Sequence, residues 1–167
     1  EAKAFDVDLT YITSRGTWYM RSWKGVDQKS GGVATNIGVH FYDMLHFIFG
    51  PVLVSEVHCR DARSCAGYLE FERAKVRWFL SIDARYLPDN AVQGEKLTYR
   101  SITIDGEELE FSGGFTDLHT QSYQRILDGQ GFGVDDNKAA IDIVEDIRKQ
   151  EVVREPRDPH PLLSKVL

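Results

Sequence analysis

The sequence predicts an α+β fold: a mostly antiparallel sheet of about six strands with helices on one face. Three features carry that expectation. A β-type run opens the chain, a helical period occupies residues 36–49, and five β-type runs then follow one another with turns but no helix between them. Strands in unbroken succession pair antiparallel, because a parallel neighbour needs a crossover of about a dozen residues or more.

The first strand is placed at 5–13 (FDVDLTYIT), where β-formers alternate. Residues 14–32 read as a polar-aromatic loop closed by Gly31-Gly32. From Asn36 the period becomes helical, with Ile37, Phe41, Met44, Leu45 and Ile48 forming one apolar stripe. Gly50-Pro51 stops this helix, since glycine accepts a positive φ at a helix end and proline cannot continue the turn. The five strands that follow are placed at 52–59, 64–72, 75–82, 97–104 and 107–111. Turns are expected at Glu72-Arg73-Ala74, Pro88-Asp89-Asn90 and Asp105-Gly106, the last a two-residue hairpin signal. Helices are expected at 116–128 and 136–149. Asp135 or Asp136 caps the second, and Lys138/Asp142 and Glu145/Lys149 pair along it.

Residues 1–150 form one domain, and the proline-rich tail 151–167 is expected to be an extended arm. Val76, Trp78, Leu80 and Ile82 alternate and are assigned to the sheet face away from the helices. One helical layer covers one face, so a homo-oligomer packed sheet to sheet is expected.

The chain has 167 residues, enough for one domain with a real core, and its net charge is −6. That balance argues against nonspecific nucleic-acid binding, which needs a basic footprint. The longest apolar run, 44–54, is too short to span a bilayer and is broken by His46 and Gly50-Pro51. Two cysteines, Cys59 and Cys65, are too few for a disulfide scaffold or a zinc knuckle. They are read as reduced packing residues of a cytoplasmic protein, with a facing pair on adjacent strands as the alternative. The chain opens on Glu1 inside a strand, so its true N-terminus is expected upstream.

Chemistry concentrates in two places. Asn36, His40 and Asp43 fall at i, i+4 and i+7, which puts an amide, an imidazole and a carboxylate on one side of a helix. A histidine in the first turn faces the positive end of the helix dipole, which favours the uncharged ring that a base needs. Asp43 can orient that ring. The same spacing also suits an ordinary helix surface, and spacing alone does not separate the two. His40, Asp43 and His46 fan over about 120° of a helix, so no metal site is predicted.

The second place is residues 15–24 (RGTWYMRSWK), where Arg15, Arg21 and Lys24 stand among Trp18, Tyr19 and Trp23 with no acid. Guanidinium and ammonium groups suit phosphate or carboxylate, and aromatic faces suit a base or sugar ring. A cation-aromatic subunit contact suits the same residues. Gly129-Gln130-Gly131-Phe132-Gly133 follows a helix and lacks the spacing of a dinucleotide fingerprint, so it reads as a helix-to-helix turn. His119 and Tyr123 form a further i,i+4 pair, facing the same cleft or packing on the sheet.

The run Gly31-Gly32-Val33-Ala34-Thr35-Asn36-Ile37-Gly38-Val39-His40-Phe41-Tyr42-Asp43 resembles the GG-x3-D-x-G-x-H-x2-D signature of the glucose–fructose oxidoreductase / inositol dehydrogenase (Gfo/Idh/MocA) family. The whole chain is similar to that family's C-terminal domain. TSRGTWY, SWKG and NIGVHFYDMLHFIFGP are most similar to the branch that oxidises C3 of UDP-N-acetylglucosaminuronic acid for bacterial lipopolysaccharide or O-antigen synthesis. The resemblance implies NAD as cofactor, held mainly by an N-terminal Rossmann domain that this chain does not contain. It implies His40 as the active-site histidine. Asn36 stands where many members have Asp, which suits hydrogen bonding rather than base chemistry. With the cationic loop, it implies that Arg15, Trp18 and Lys24 line the sugar-nucleotide site, with Lys29 and Tyr11 added on position. Neither the nucleotide fingerprint nor the E-K-P lysine motif occurs here, so the chain alone is expected to be inactive. Two other readings stay open: a non-catalytic interaction module, and a family member acting on inositol or a simple sugar.

Overall fold

The computed structural model describes residues 3–112 and 117–166. Among them a six-stranded sheet has the order β2-β3-β4-β1-β5-β6. Its strands are β1 (Phe5–Thr13), β2 (Val52–Arg60), β3 (Ser64–Phe71), β4 (Ala74–Ser81), β5 (Thr98–Ile104) and β6 (Glu107–Glu110). Four neighbouring pairs are antiparallel and one, β1 with β4, is parallel. The parallel pair follows from the connection: the chain leaves β1, crosses the sheet as α3 (Val39–Phe49), and enters β2 at the far edge. Two hairpins then bring β4 back beside β1. The β5–β6 turn has positive φ at both Asp105 (49°) and Gly106 (90°), as the sequence required.

The helices α3 and α6 (Lys138–Lys149) cover one face. Ala140, Ile143, Val144 and Ile147 of α6 and Phe41, Tyr42, Leu45 and Phe49 of α3 are buried against it. Here the alternation in β4 is corrected: Val76, Trp78, Leu80 and Ile82 lie in this helix-side core, not on the opposite face. They form rows with Val7, Leu9 and Tyr11, which pair with Val76, Trp78 and Leu80. Gly67 makes room for the Trp78 indole, since a Cβ there would sit 2.5 Å from Cζ2. The stripe on α3 is shifted too, with Tyr42 fully buried and Ile48 exposed.

The opposite face carries a charged cluster, a small apolar cluster and a strap that covers them. Arg77 binds Asp8 (Nε to Oδ1, 2.5 Å), Asp6 (2.9 Å) and Asp158 (2.8 Å). The tail expected to be a plain extended arm lies on this face. Val153 N–H bonds Val57 O at 2.9 Å, Arg157 pairs with Glu56 at 3.2 Å, and Leu163 packs with Ile12, Cys59, Ala66 and Phe79. A 3-10 turn, Pro161–Lys165, closes it.

Other local differences are small. Residues 14–32 are not an open loop but two short helices, α1 (Thr17–Arg21) and α2 (Asp27–Ser30), around a 3-10 turn at Trp23–Gly25. Pro88 opens a short helix, α4 (Asp89–Gln93), instead of a turn. Asp135 and Asp136 lie in a 3-10 turn before α6. Asp136 accepts the Gly133 N–H at 2.6 Å rather than capping the helix. The helix expected at 116–128 is α5 (Leu118–Leu127), and Thr116 lies outside the described residues. None of its residues is buried, so His119 and Tyr123 do not pack on the sheet. Among the described residues no helix is long and apolar enough to cross a membrane.

Candidate active site

The site forms at the end of the sheet where β1 finishes. α3 runs against β1: the Phe41 ring near its start meets Tyr11 at a tilt with centroids 4.9 Å apart, and Phe49 at its end lies 5.9 Å from Phe5. That orientation brings the first turn of α3, with His40, beside the C-terminal part of β1.

The entry to α3 is unusual. Gly31 and Gly32 both have positive φ (77° and 72°), and Ala34–Gly38 is a π-helical turn. Wide turns of this kind recur at functional sites because they re-aim one residue of a helix. Two side chains bond back to carbonyls four residues earlier: Thr35 Oγ1 donates to Gly31 O at 2.7 Å and Asn36 Nδ2 to Gly32 O at 3.1 Å. Gly38 lets the turn approach the sheet, since a Cβ would lie 2.6 Å from Tyr42 and 2.8 Å from Leu80.

A cavity of about 560 Å³ opens beside this helix. Tyr11, His40, Asp43, Arg100, Asp117 and His119 supply its polar wall, and Phe41, Met44 and Leu118 its apolar wall. His40 is exposed into it, and Asp43 stands one turn on. Arg100 lies over the Tyr11 ring at 5.0 Å, with Nη2 3.5 Å from the Tyr11 hydroxyl. Chemically, this is a pocket with an imidazole able to accept a proton, carboxylates able to orient hydroxyls, and one guanidinium.

Of the residues singled out from the sequence, the cavity gathers Tyr11, His40, Asp43 and His119. Asn36 does not line it, because its amide is turned back to Gly32. Lys24 lines a separate cavity of about 290 Å³ with Tyr19, Asp27, Arg60 and Asp61. Arg15, Trp18 and Lys29 line neither and are exposed on the 14–32 segment. That segment is internally knit: Ser22 Oγ donates to Tyr19 O and Ser30 Oγ to Lys24 O. Sequence reasoning missed Arg100 and Asp117. Arg100 had a signal, being a charge on the inward phase of β5 between Thr98 and Ile102. Asp117, a positive-φ residue before α5, had none.

Comparisons with known proteins bear on the family and the fold. A model of the oxidoreductase family's C-terminal alpha/beta domain (Gfo/Idh/MocA) matches residues 1–154. The WlbA (WbpB) dehydrogenase from Thermus thermophilus, crystallised with NAD and alpha-ketoglutarate, is 52% identical over 97% of this chain and 53% of that one, with a TM-score of 0.90. The same dehydrogenase with NAD and UDP-GlcNAcA gives 49% identity over 97% and 52%, again with a TM-score of 0.90. WlbA from Bordetella pertussis, with NADH and UDP-GlcNAcA, is 16% identical over 93% and 55%, with a TM-score of 0.63, and shares the fold. The chain thus spans about half the length of these proteins. On a match running through most of the sequence, the chain belongs to the Gfo/Idh/MocA oxidoreductase family, as its C-terminal α/β domain.

Proposed function

We propose that this chain is the substrate-binding half of an NAD-dependent dehydrogenase that oxidises C3 of UDP-N-acetylglucosaminuronic acid, for bacterial lipopolysaccharide or O-antigen diamino-sugar synthesis. The observation that carries the reading is the roughly half-identical Thermus thermophilus relative, crystallised with NAD and UDP-GlcNAcA, over nearly the whole of this chain. The cavity is consistent with it. His40 accepts the proton of the sugar hydroxyl, Asp43 and Tyr11 bind neighbouring hydroxyls, and the apolar wall of Phe41 and Met44 excludes water from the reacting carbon. Asn36 positions the turn that carries His40. Arg15, Trp18, Lys24 and Lys29 hold the diphosphate and base along the 14–32 segment.

NAD, when bound, supplies the hydride acceptor. Among the described residues the glycine run 129–133 follows α5 and leads to a 3-10 turn, not from a strand into a helix, so it offers no dinucleotide fingerprint. The cofactor is therefore assigned mainly to a part of the whole protein outside this chain. Two buried, unpaired thiols suit a reducing cytoplasm, where we place the reaction. We also propose that copies associate through the strapped sheet face, by polar rather than apolar contacts. Light scattering of the purified chain, giving mass above one copy, supports that; a monomer at high concentration rejects it.

Calorimetric titration of the chain with UDP-N-acetylglucosaminuronic acid tests the main reading. Saturable binding that is lost in His40→Ala, with NADH production at background, is the expected result. A wild-type chain that binds no nucleotide sugar removes the reading in favour of a non-catalytic module.

A further inference from the structure

The cavity beside α3 sets an apolar side chain next to an acid twice: Asp43-Met44, one turn beyond His40, and Asp117-Leu118, at the start of α5. The core accounts for only part of this apolar wall. Phe41 is buried against Tyr11, and Met44 is half-buried on the helix-side core. Leu118 differs. It is 50% exposed, on a helix none of whose residues is buried, yet it lines the cavity. Its hydrocarbon is presented to whatever the cavity takes in, as the walls of small-molecule sites are.

The proposed substrate has one group on its sugar ring that suits hydrocarbon. Hydroxyls, carboxylate and diphosphate all lose by such contact, whereas the methyl of the C2 acetamide gains. C2 adjoins C3, whose hydroxyl faces His40 in the proposed reaction. Met44 adjoins His40 in the same way: at i,i+4 on a helix the two Cβ atoms lie about 5–6 Å apart. A substituent one carbon from the reacting centre thus falls beside the side chain one turn from the base. The acid–apolar pairing fits an acetamide as well, since its N–H donates to the Asp117 carboxylate while its methyl lies on the neighbouring hydrocarbon. A hydroxyl at C2 answers the carboxylate and leaves the apolar wall wet.

We infer that Met44 and Leu118 seat the acetamide methyl and thereby set the preference for a 2-acetamido sugar over the corresponding 2-hydroxy sugar. The inference rests on the proposed substrate class, and its test separates the two. Wild type, Leu118→Ser, Leu118→Met and Met44→Gln are titrated with UDP-N-acetylglucosaminuronic acid and with UDP-glucuronic acid, which differ only at C2. Far-ultraviolet circular dichroism and melting temperature establish that each variant is folded. Wild type is expected to prefer the acetamido sugar about tenfold or more, as a small apolar group in an apolar pocket allows. Leu118→Ser and Met44→Gln each bring the two ligands within about threefold, by weakening the acetamido sugar alone. Leu118→Met, which keeps an apolar side chain, retains the wild-type preference.

A wild type that binds both sugars alike overturns the inference and leaves the nucleotide-sugar class standing. Folded Leu118→Ser and Met44→Gln that keep the wild-type preference overturn it too. Equal weakening of both ligands does the same, since the two side chains then only shape the cavity. If Met44→Gln does not fold, the exposed Leu118 decides: an undiminished preference in Leu118→Ser rejects the seat, and a reduced one supports it. A wild type that binds neither ligand fails at the earlier step, and the inference falls with the substrate.

Discussion

His160 donates from Nε2 to the Thr10 hydroxyl across 3.1 Å, a tautomer fixed by Nδ1, which accepts the Leu162 N–H at 3.1 Å. The ring stacks on Phe79 and holds the C-terminal strap to the middle of the sheet. Burial, opposed by Asp8 and aided by Arg77, pushes its pKa down to about 4, against 6.5 for an ordinary histidine. Between those values the unfolded chain binds a proton that the native chain does not. Stability is therefore whole above pH 6.5 and falls as pH drops from 6.5 towards 4. The loss attributable to this ring is up to about 3 kcal/mol. His160→Asn keeps an acceptor for the Leu162 N–H and removes the titration, so its stability should vary less across that window. Urea denaturation of both proteins at pH 7.5 and 4.5 measures it, and parallel losses would refute the assignment.

Gly38→Ala should destabilise the chain by about 1–2 kcal/mol, the overpacking cost being partly offset by alanine's helix preference. The added methyl meets Tyr42, which is fully buried and edge-on to Trp78 at 5.5 Å, so the ring has nowhere to go. The π-helical turn must lift, and His40 moves with it. The expected signature is weaker nucleotide-sugar binding together with the lower urea midpoint. A stable variant with unchanged binding would show that the close approach is dispensable.

The strands were legible because their signals are local. Alternation and two-residue turns placed all six, and Asp105-Gly106 takes the positive φ values its hairpin needs. Which face the helices cover was not legible. Alternation in β4 identifies Val76, Trp78 and Leu80 as one set, but Phe79 and Ser81 on the other face are buried as well, and only the third dimension says which set meets α3. Likewise α-helical and π-helical turns draw on the same residues, so the spacing of Asn36 and His40 read as one regular face. His40 and Tyr11 could be named in advance. Arg100 was signalled only as a charge on the inward phase of β5, and its place in the cavity depends on α3 and residues 117–119 meeting at one end of that strand.

Arg77 gathers three carboxylates from β1 and the strap, two at 2.8–2.9 Å through Nη1 and Asp8 through Nε. Burial opposes its charge, but the bonds from Asp8 and Asp6 outweigh it and push its pKa up. Arg77→Met leaves the three acids facing one another in a half-buried site, and a loss of about 2–3 kcal/mol at pH 7 is expected. Asp158→Asn removes one contact and should cost much less, about 0.5–1 kcal/mol. Thermal melts at pH 7 rank the two. Equal effects would mean that the strap contact, and not the sheet contacts, carries the stabilisation.

Cys59 and Cys65 sit on adjacent strands yet cannot face each other: Cys59 pairs with Ala66, and Cys65 with Arg60. One thiol packs with Leu163 under the strap, the other in the helix-side core, so the sheet lies between them. Burial raises both thiols, Cys65 to about 12. A thiolate is the reacting form, so neither should be modified in the native chain at pH 8 over minutes. The two differ in what must open. Cys59 is released by lifting residues 160–166 alone, whereas Cys65 needs α3 or α6 to leave the sheet. Leu163→Ala should therefore speed labelling of Cys59 by tenfold or more and leave Cys65 protected until global unfolding. Mass spectrometry after timed exposure to a thiol reagent distinguishes the sites. Simultaneous labelling of both would show that the strap and the helix layer open as one unit.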